Sequence, residues 1–335
     1  MTIGDYDFDF VNEIQIVSTW DELTDRAYIT VPRKLRVKKD GLFADAITAG
    51  DSALWKRNDP VRIDAGYDLN HANLFTGYIT RVSPKLPLQF ECEDRMYKLK
   101  QTIVGKTAAN TINAYGSITL SQLLSITIPQ SLRDELSFSV RNEDITFGKF
   151  TLTKAVTIAE LLDYFRKRFG LSCFFQDDVL SVGFAYNITS VSQVSTDELS
   201  EFRFQHNIID DSMLDYVRDD DVRIKINAIS VKPDNTRISV EVGDEDGELR
   251  TLHFYNLSET DLRKLANESL QKLKYEGFRG SFTTFLQPTV KHGQAVKLTD
   301  PLIPDRNGVY LVKQVVTTIG MNGGRQEITL DRKIS

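Results

Sequence analysis

Histidine is the side chain best suited to acid–base or metal chemistry. The sequence has four histidines, and their spacing argues against a metal site. They are His71, His206, His253 and His292. No two of them form an HxH or HxxxH pair and no cysteine stands close to them, whereas zinc ligands recur at short spacings. The sequence therefore predicts no zinc site. His292 falls in a turn, where we expect an exposed imidazole without a catalytic role.

Clustered aspartates are the second candidate for a functional site. The run DDSMLDYVRDDD contains Asp210, Asp211, Asp215, Asp219, Asp220 and Asp221. It lacks the D-x-D-x-D-G-x5-E pattern of a calcium loop. Because charge runs are usually solvated, we interpret it as a linker or turn before the strand VRIKI.

Glu91 and Glu93 share one face of a predicted strand, an arrangement that would suit the paired carboxylates of a glycosidase. No other feature marks a sugar site, so we interpret both as surface charges. Walker A, nucleophile-elbow and Ser/His/Asp patterns cannot be placed either. The sequence predicts no catalytic centre, no bound metal and no cofactor, and a hydrolase of unrecognised class remains an alternative.

The basic run PRKLRVKKD offers a candidate protein-interface site instead. In an extended chain Lys34, Arg36 and Lys38 project to one side, and Leu35 and Val37 project to the other. This pattern is typical of a half-buried strand with a cationic outer face. Such a face is most often solvated, and the alternative is contact with an acidic partner.

The whole chain limits the kinds of protein that can carry these residues. Its 335 residues are 41% hydrophobic, enough for two or three packed domains, and the formal charge is −6. Apolar stretches are too short for a membrane helix, and the N-terminal decapeptide lacks the features of a secretory signal, so we expect folding in a cytoplasm. An acidic balance argues against general nucleic-acid binding, although an acidic chain can surround DNA without holding it. Cys92 and Cys173 are expected to be buried thiols.

Periodicity predicts how the chain is organised. Short segments rich in β-branched and aromatic residues, separated by turn residues, fill the first hundred residues and the last third. Between them, Thr157 and Glu160 have capping-box spacing at the start of the helix TIAELLDYFRKRFG, and the hairpin LSCFFQ/VLSVGFAY follows. The predicted fold is mainly β with α+β parts. Two similar β-barrel-like domains (1–102 and 193–335, the latter with one inserted helix beginning at Ser258) flank a small α/β domain (103–192).

One phrase occurs twice in the β-rich parts. WKRNDPVRI at 55–63 and VKHGQAVKL at 290–298 place a basic residue, a tight turn and a β-branched residue in the same frame. Each copy precedes a loop, a Gly-containing strand and a further strand. Chance similarity is one explanation, and two copies of one barrel fold are the other. Under the second, Val61 and Val296 occupy equivalent inward positions.

The segment GDSALWKRNDPVRIDAGYDLNHANLFTGYITRVSPKLPLQFECEDRMYKLKQ resembles the N-terminal domain of phage tail baseplate central hub proteins, the late control protein D family. The helix and hairpin TIAELLDYFRKRFGLSCFFQDDVLSV are similar to the small α/β domain of that family. VKHGQAVKL with GVYLVKQVV is similar to its second barrel. The resemblance covers most of the chain and consists of strand and turn patterns rather than catalytic motifs.

The resemblance implies a structural virion protein rather than an enzyme. It implies a homotrimer in which two barrels per chain form a sixfold-like ring between a hexameric tail tube and the cell-puncturing spike, with a channel that passes DNA without specific binding. It also implies a place in the virion tail, assembled in the host cytoplasm, with no integral membrane association. A carbohydrate-binding or adhesin-type β module remains the main alternative.

Overall fold

The computed structural model of the protein consists mainly of β-strands. It describes residues 1–335 except 9, 33, 36, 40–41, 44–46, 49–53, 68–69, 84–86, 105–112, 115–117, 144, 148–149, 153, 170, 184–198, 219–220, 233, 235 and 335. No helix in this described part is long and apolar enough to cross a membrane.

The N-terminal part forms a β domain, here called the first barrel. Its strands are β1 (Thr2–Ile3), β2 (Tyr6–Phe8), β3 (Glu13–Thr19), β4 (Arg26–Val31), β5 (Lys34–Leu35), β6 (Val37–Lys39), β7 (Leu42–Phe43), β8 (Ile47–Thr48), β9 (Pro60–Tyr67), β10 (Asn70–Ser83) and β11 (Leu88–Glu93). Alternation along β3 and β4 buries Ile14, Ile16 and Ile29 against Trp55 and Phe90. This apolar face gives the domain its own core.

The middle of the chain forms the small α/β domain. Its elements are α1 (Met96–Leu99), β12 (Ile103–Val104), β13 (Asn113–Ala114), β14 (Ile118–Thr119), α2 (Leu120–Thr127), α3 (Gln130–Glu135), β15 (Ser139–Asn142), β16 (Thr146–Phe147), β17 (Phe150–Thr151), β18 (Val156–Thr157), α4 (Ile158–Phe169), β19 (Ser172–Gln176) and β20 (Val179–Gly183). The predicted capping box of α4 is confirmed: Glu160 N–H donates to Thr157 Oγ at 3.1 Å, and Thr157 N–H donates to the Glu160 carboxylate at 2.7 Å. The predicted hairpin, β19 with β20, is confirmed too.

The last part contains the second barrel and an insert. The elements are β21 (Ser200–Arg203), β22 (Ile208–Asp210), β23 (Leu214–Val217), β24 (Ile224–Val231), β25 (Arg237–Gly243), β26 (Glu248–Tyr255), α5 (Glu259–Leu273), β27 (Gly277–Phe285), β28 (Ala295–Thr299), β29 (Gly308–Gly320) and β30 (Gly323–Lys333). Phe202, Phe282, Tyr310 and Ile328 are fully buried in the core of this barrel. The mainly β fold predicted from the sequence is confirmed. The domain boundaries after residues 102 and 192 stay predictions.

The insert is larger than the single helix that the sequence predicts. Strands β24, β25 and β26 form a separate three-stranded sheet, with β24 in the middle. Helix α5 packs on it through Leu262 and Ala266, which share a core with Ile226 and Ala228. The apolar stripe of α5 needs a partner face, and the alternating residues of β24 supply it. The insert in the second barrel therefore consists of strands β24–β26 and helix α5, with a core of its own.

The acidic run also differs from its interpretation as a linker. Residues 208–210 and 214–217 are strands β22 and β23, and both pair with β27. Asp219 and Asp220 lie outside the described residues. Backbone pairing explains the difference, because a strand beside one neighbour can leave alternate polar side chains such as Asp215 in solvent.

The two barrels share one strand order. In the first barrel β3, β4, β11, β10 and β9 are adjacent in that order, and in the second β23, β27, β30, β29 and β28 are adjacent in that order. Every neighbouring pair within these sets is antiparallel. This topology is the structural basis of the repeated sequence phrase.

Register identifies the equivalent residues. The pairing of β10 with β11 is irregular after Ile79, and that of β29 with β30 is irregular after Val312. Alignment of these bulges makes Ile79 equivalent to Val312. Val61, opposite Gly77 on β10, then corresponds to Val296, opposite Tyr310 on β29. Both valines are buried, at 1% and 0% exposure, so their predicted equivalence is confirmed.

Candidate functional site

The two barrels are joined edge to edge by one pair of strands. The N-terminal half of β29 pairs with β28, and its C-terminal half pairs with β3 of the first barrel. This second pairing runs antiparallel from Gln314 opposite Thr19 to Gly320 opposite Glu13. The main sheet is therefore continuous from one barrel into the other. A shared hydrogen-bonded ladder fixes their relative position more firmly than side-chain contacts alone would.

Side chains support the junction at both ends of this ladder. Thr19 Oγ1 donates to the Lys313 carbonyl at 3.2 Å, and the Lys313 ammonium lies 3.0 Å from the Asp21 carboxylate. Tyr67, at the end of β9, donates its hydroxyl to the Gly324 carbonyl at 2.9 Å and accepts from the Gly324 N–H at 3.2 Å. Tyr67 therefore ties the first barrel to the β29–β30 hairpin of the second.

A cluster of polar side chains lies where both barrels meet the α/β domain. We call Asp25, Asp94, Gln176 and His292 the polar junction. His292 Nε2 lies 3.4 Å from Asp25 Oδ2, and the centroids of the His292 and Phe174 rings lie 5.2 Å apart in a T-shaped arrangement. Gln176 donates its amide to the His292 carbonyl at 3.0 Å. Each of the three domains thus contributes polar groups to one site, in which Asp94 and His292 are buried and Asp25 and Gln176 are partly exposed.

His292 corrects an expectation drawn from the sequence. It does lie in a turn, as predicted, but its side chain is only 2% exposed rather than solvated. The equivalent residue of the first barrel, Arg57, is exposed. The difference arises because Phe174 of the α/β domain and Asp25 of the first barrel cover the second turn and not the first.

Two carboxylates of the polar junction are held by backbone amides. Asp25 Oδ1 accepts the Thr19 N–H at 3.0 Å, and Asp94 accepts the Asp25 N–H at 3.3 Å and the Met96 N–H at 3.0 Å. Burial, and next the negative charge of Asp25, raise the pKa of the Asp94 carboxyl well above its usual range. The folded environment therefore favours the neutral form of the Asp94 carboxyl more than water does.

The polar junction does not have the geometry of a nucleophilic triad. Ser18 donates its hydroxyl to Asp25 Oδ2, the same oxygen that faces His292. In a triad the histidine instead lies between the hydroxyl and the carboxylate. The adjoining cavity measures about 70 Å³, roughly the space of a few waters. The polar junction instead links the three domains through polar contacts between buried and partly exposed side chains.

Ion pairs lie next to the polar junction. Lys291 Nζ contacts Asp177 Oδ1, which links the second barrel to the β19–β20 hairpin. Arg95, just after β11, lies 2.7 Å from Asp178 and donates to the Leu136 and Asp177 carbonyls at 3.1 Å each. Together these contacts attach the hairpin of the α/β domain to both barrels.

Two of the three candidate interface residues, Lys34 and Lys38, lie in short strands of the first barrel. Lys34 is in β5, opposite Thr48, and Lys38 is in β6, opposite Asp7 of β2 and Phe43 of β7. Val37, between them, is 1% exposed, as expected for the inward side of this segment. Arg36 lies outside the described residues. The assignment of these three cations to an interface stays a prediction.

The remaining sequence candidates are scattered. Glu91 and Glu93 are partly exposed and pair with Arg81 at 3.2 Å and Lys100 at 2.7 Å, consistent with surface charges. The described part of the chain holds no group of three or more potential metal ligands. Cys92 and Cys173 are free and buried, as expected, and burial raises the pKa of each thiol to about 12.

Sequence reasoning missed Asp25, Asp94 and Gln176. Asp94 carried a weak signal, because an aspartate two residues before a short helix commonly accepts a backbone N–H of its first turn. Nothing in the sequence indicates which aspartate meets His292, since the two residues belong to different barrels.

Solved structures share this fold over nearly the whole chain. The 43 kDa tail protein of prophage MuSo2 from Shewanella oneidensis has a TM-score of 0.58 and 12% identity, with 98% of this chain and 96% of that protein covered. The tail protein from Neisseria meningitidis MC58 has a TM-score of 0.56 and 14% identity, with coverage of 99% and 96%.

No family model and no curated protein sequence matches the chain. The relationship is therefore one of structure rather than recognisable sequence. The chain has the fold of prophage tail proteins, and the resemblance to phage tail proteins stated from the sequence is confirmed at the level of the fold.

Proposed function

We propose that this chain is a structural protein of a phage-type tail, the baseplate hub that connects the tail tube to the spike. The observation that carries the proposal is the presence of two barrels of one topology, joined in a single sheet through β3 and β29. The tail-protein fold, found over nearly the whole chain, supports it.

Two equal barrels in one chain solve a symmetry problem. A tail tube built from hexameric rings presents six equivalent positions, whereas a trimeric spike presents three. Three copies of a two-barrel chain offer six similar lobes to the tube and keep a true threefold axis for the spike. The rigid β3–β29 ladder suits this role because it fixes the relation between the two lobes of each chain.

The channel of such a ring passes DNA without binding it. The chain has a formal charge of −6, and like charges repel over ~8 Å at physiological salt. We place acidic side chains toward the lumen, where they keep the phosphate backbone from adhering. Lys34, Arg36 and Lys38 then belong outside the channel, toward a neighbouring chain or a partner. The role is structural, without a catalytic centre.

Native mass spectrometry tests the proposal. The chain is measured alone, and again after co-expression with the tail tube and spike proteins of the same tail. The proposal predicts a species with the mass of three 38.1 kDa chains, formed alone or with these partners. A chain that stays monomeric with both partners supplied refutes the hub assignment.

A further inference from the structure

The junction between the two barrels pairs one strand edge of the first barrel with one strand edge of the second. Each barrel also has, at an equivalent position, a second edge of the kind that the other barrel contributes to the junction. The first barrel contributes the outer edge of β3, and the second contributes the C-terminal half of β29. The equivalents are β22–β23 in the second barrel and the C-terminal half of β10 in the first. Among the described residues no strand pairs with either of these equivalent edges.

The register of the paired strands identifies which residues of β10 are equivalent to the C-terminal half of β29. Since Ile79 corresponds to Val312, Arg81, Val82 and Ser83 correspond to Gln314, Val315 and Val316. This alignment is supported on the β11 side, where Val82 lies opposite Phe90 and Val315 lies opposite the equally buried Ile328. In the second barrel these three positions receive β3. In the first barrel their outer side has no strand partner within the described part of the chain.

The alignment of β23 with β3 follows from the strands that they pair with, β27 and β4. Ile29 of β4 faces Phe90, and Phe282 of β27 faces Ile328, so β4 and β27 align through these residues. Ile16, opposite Ala27, then corresponds to Leu214, opposite Gly280. It follows that Val17, Ser18 and Thr19 correspond to Asp215, Tyr216 and Val217.

From these two alignments we infer that the outer edge of β23 pairs with the C-terminal half of β10 in a second copy of this chain. The pairing is antiparallel and repeats the register of β3 on β29: Arg81 lies opposite Val217, Val82 opposite Tyr216, and Ser83 opposite Asp215. The inference rests on the proposed function for ring closure, since intrachain and interchain ladders alternate around six barrels.

The chemistry of the two edges suits this contact. Arg81, which pairs with Glu91 at 3.2 Å within the chain, and Asp215 are both exposed. They fall on the same face of the inferred ladder in diagonal positions, so Asp215 can join this ion pair. A strand edge left open also exposes unpaired N–H and C=O groups, which favours pairing with another chain. The intrachain ladder already joins edges equivalent to these two. A second copy of the chain is therefore the partner whose backbone geometry fits.

Engineered disulfides test the register. The variant Ser83→Cys/Asp215→Cys is oxidised with diamide, both as purified chain and within assembled tails, and is run on non-reducing gels. Cysteines opposite each other in an antiparallel ladder lie within bonding range, whereas those more than about 7 Å apart at Cα do not. The native cysteines are buried and do not compete. We expect covalent dimers and trimers.

Two matched controls accompany this variant. Val17→Cys/Val316→Cys occupies the equivalent positions of the intrachain ladder and is expected to cross-link without a change in oligomeric mass. Ser83→Cys/Asp211→Cys displaces one cysteine by four residues, into the turn before β23, and is expected to give no oligomer.

The outcomes separate this inference from the proposed function. Cross-linked trimers that are absent from the displaced control support both. Three-copy assemblies without a cross-link between residues 83 and 215 overturn the strand pairing and leave the hub intact. Specific cross-links in an assembly that does not contain three copies support the pairing and overturn the hub. Monomers under every condition overturn both.

Discussion

Asn58 and Gly293 occupy the same position in two copies of one turn. Their φ angles are 76° and 75°. The Asn58 N–H donates to the Ile79 carbonyl at 3.0 Å, and the Gly293 N–H donates to the equivalent Val312 carbonyl at 2.8 Å. The left-handed region is open to glycine and tolerated by asparagine. The two different residues therefore meet one backbone requirement.

The matching extends to the lysines of the repeated phrase. Lys56 N–H donates to the Asp59 carboxylate at 2.7 Å, and Lys291 N–H donates to the Gln294 side-chain oxygen at 2.9 Å. Each turn is thus closed by the side chain three residues later. This agreement argues against chance as the origin of the repeated phrase.

The turn yields the first prediction. Gly293→Ala forces an alanine into the left-handed region and is expected to lower the free energy of unfolding by about 1–2 kcal/mol. Asn58→Gly keeps the conformation accessible and is expected to cost at most a few tenths of a kcal/mol. Urea denaturation of both variants measures the contrast. Equal losses would contradict a shared left-handed requirement.

The second prediction concerns the equivalent valines. Val61→Ala and Val296→Ala each remove two buried methyl groups and leave a small cavity, so each is expected to destabilise its barrel by about 2–3 kcal/mol. Hydrogen exchange resolved by mass spectrometry reads the two barrels separately. A matched control is Val217→Ala, at a partly exposed strand position, where we expect a smaller decrease in the free energy of unfolding. A negligible effect at either buried valine would contradict its inward placement.

The third prediction is a pH dependence from Asp94. Because its pKa is raised in the folded state, folding retains a proton that the unfolded chain has already released. Its contribution to stability is full below about pH 4, the unfolded value, and falls as the pH rises toward the folded pKa. Asp94→Asn removes this dependence, so thermal melts from acid to neutral pH are expected to show a flatter profile.

Asp244 supplies the control of opposite sign. The Ile224 N–H, and next Lys274, lower the pKa of its carboxyl. Its contribution is present above the unfolded value and is lost as the pH falls through the folded one. Asp244→Asn is therefore expected to lower the free energy of unfolding above about pH 4 and to leave it unchanged at the acid end, below the folded pKa. A parallel shift of both variants at all pH values would contradict the assignment for Asp94.

The fourth prediction concerns the basic residues of the first barrel. Lys34→Glu/Arg36→Glu/Lys38→Glu is expected to reduce the yield of assembled tails several-fold, because the reversed charges repel an acidic partner. Arg223→Glu/Arg263→Glu/Lys264→Glu, on the insert, is the matched control with the same change in net charge. Electron microscopy counts the assembled tails. Equal yields from both variants would contradict the interface assignment.

Local patterns predicted much of this fold. The capping box of α4, the β19–β20 hairpin and the two turns at Asn58 and Gly293 depend on residues only a few positions apart. Their chemistry is therefore visible in the sequence. The repeated phrase predicted the equivalence of Val61 and Val296 for the same reason.

Tertiary relationships escaped prediction. The acidic run forms β22 and β23 because β27 lies beside it, and the burial of His292 depends on Phe174 and Asp25 from two other domains. The β3–β29 ladder joins opposite ends of the chain. None of these contacts leaves a periodic signal, since the residues involved are ordinary for an exposed strand or turn.

Cryo-electron microscopy of the assembled tail tests the central claim most directly. A map of the region between tube and spike is predicted to show six similar β lobes around a channel, with each chain tracing two adjacent lobes through the β3–β29 ladder. Three chains then complete the ring. A ring of six chains with one lobe each in that layer, or the absence of this chain from it, would contradict the account.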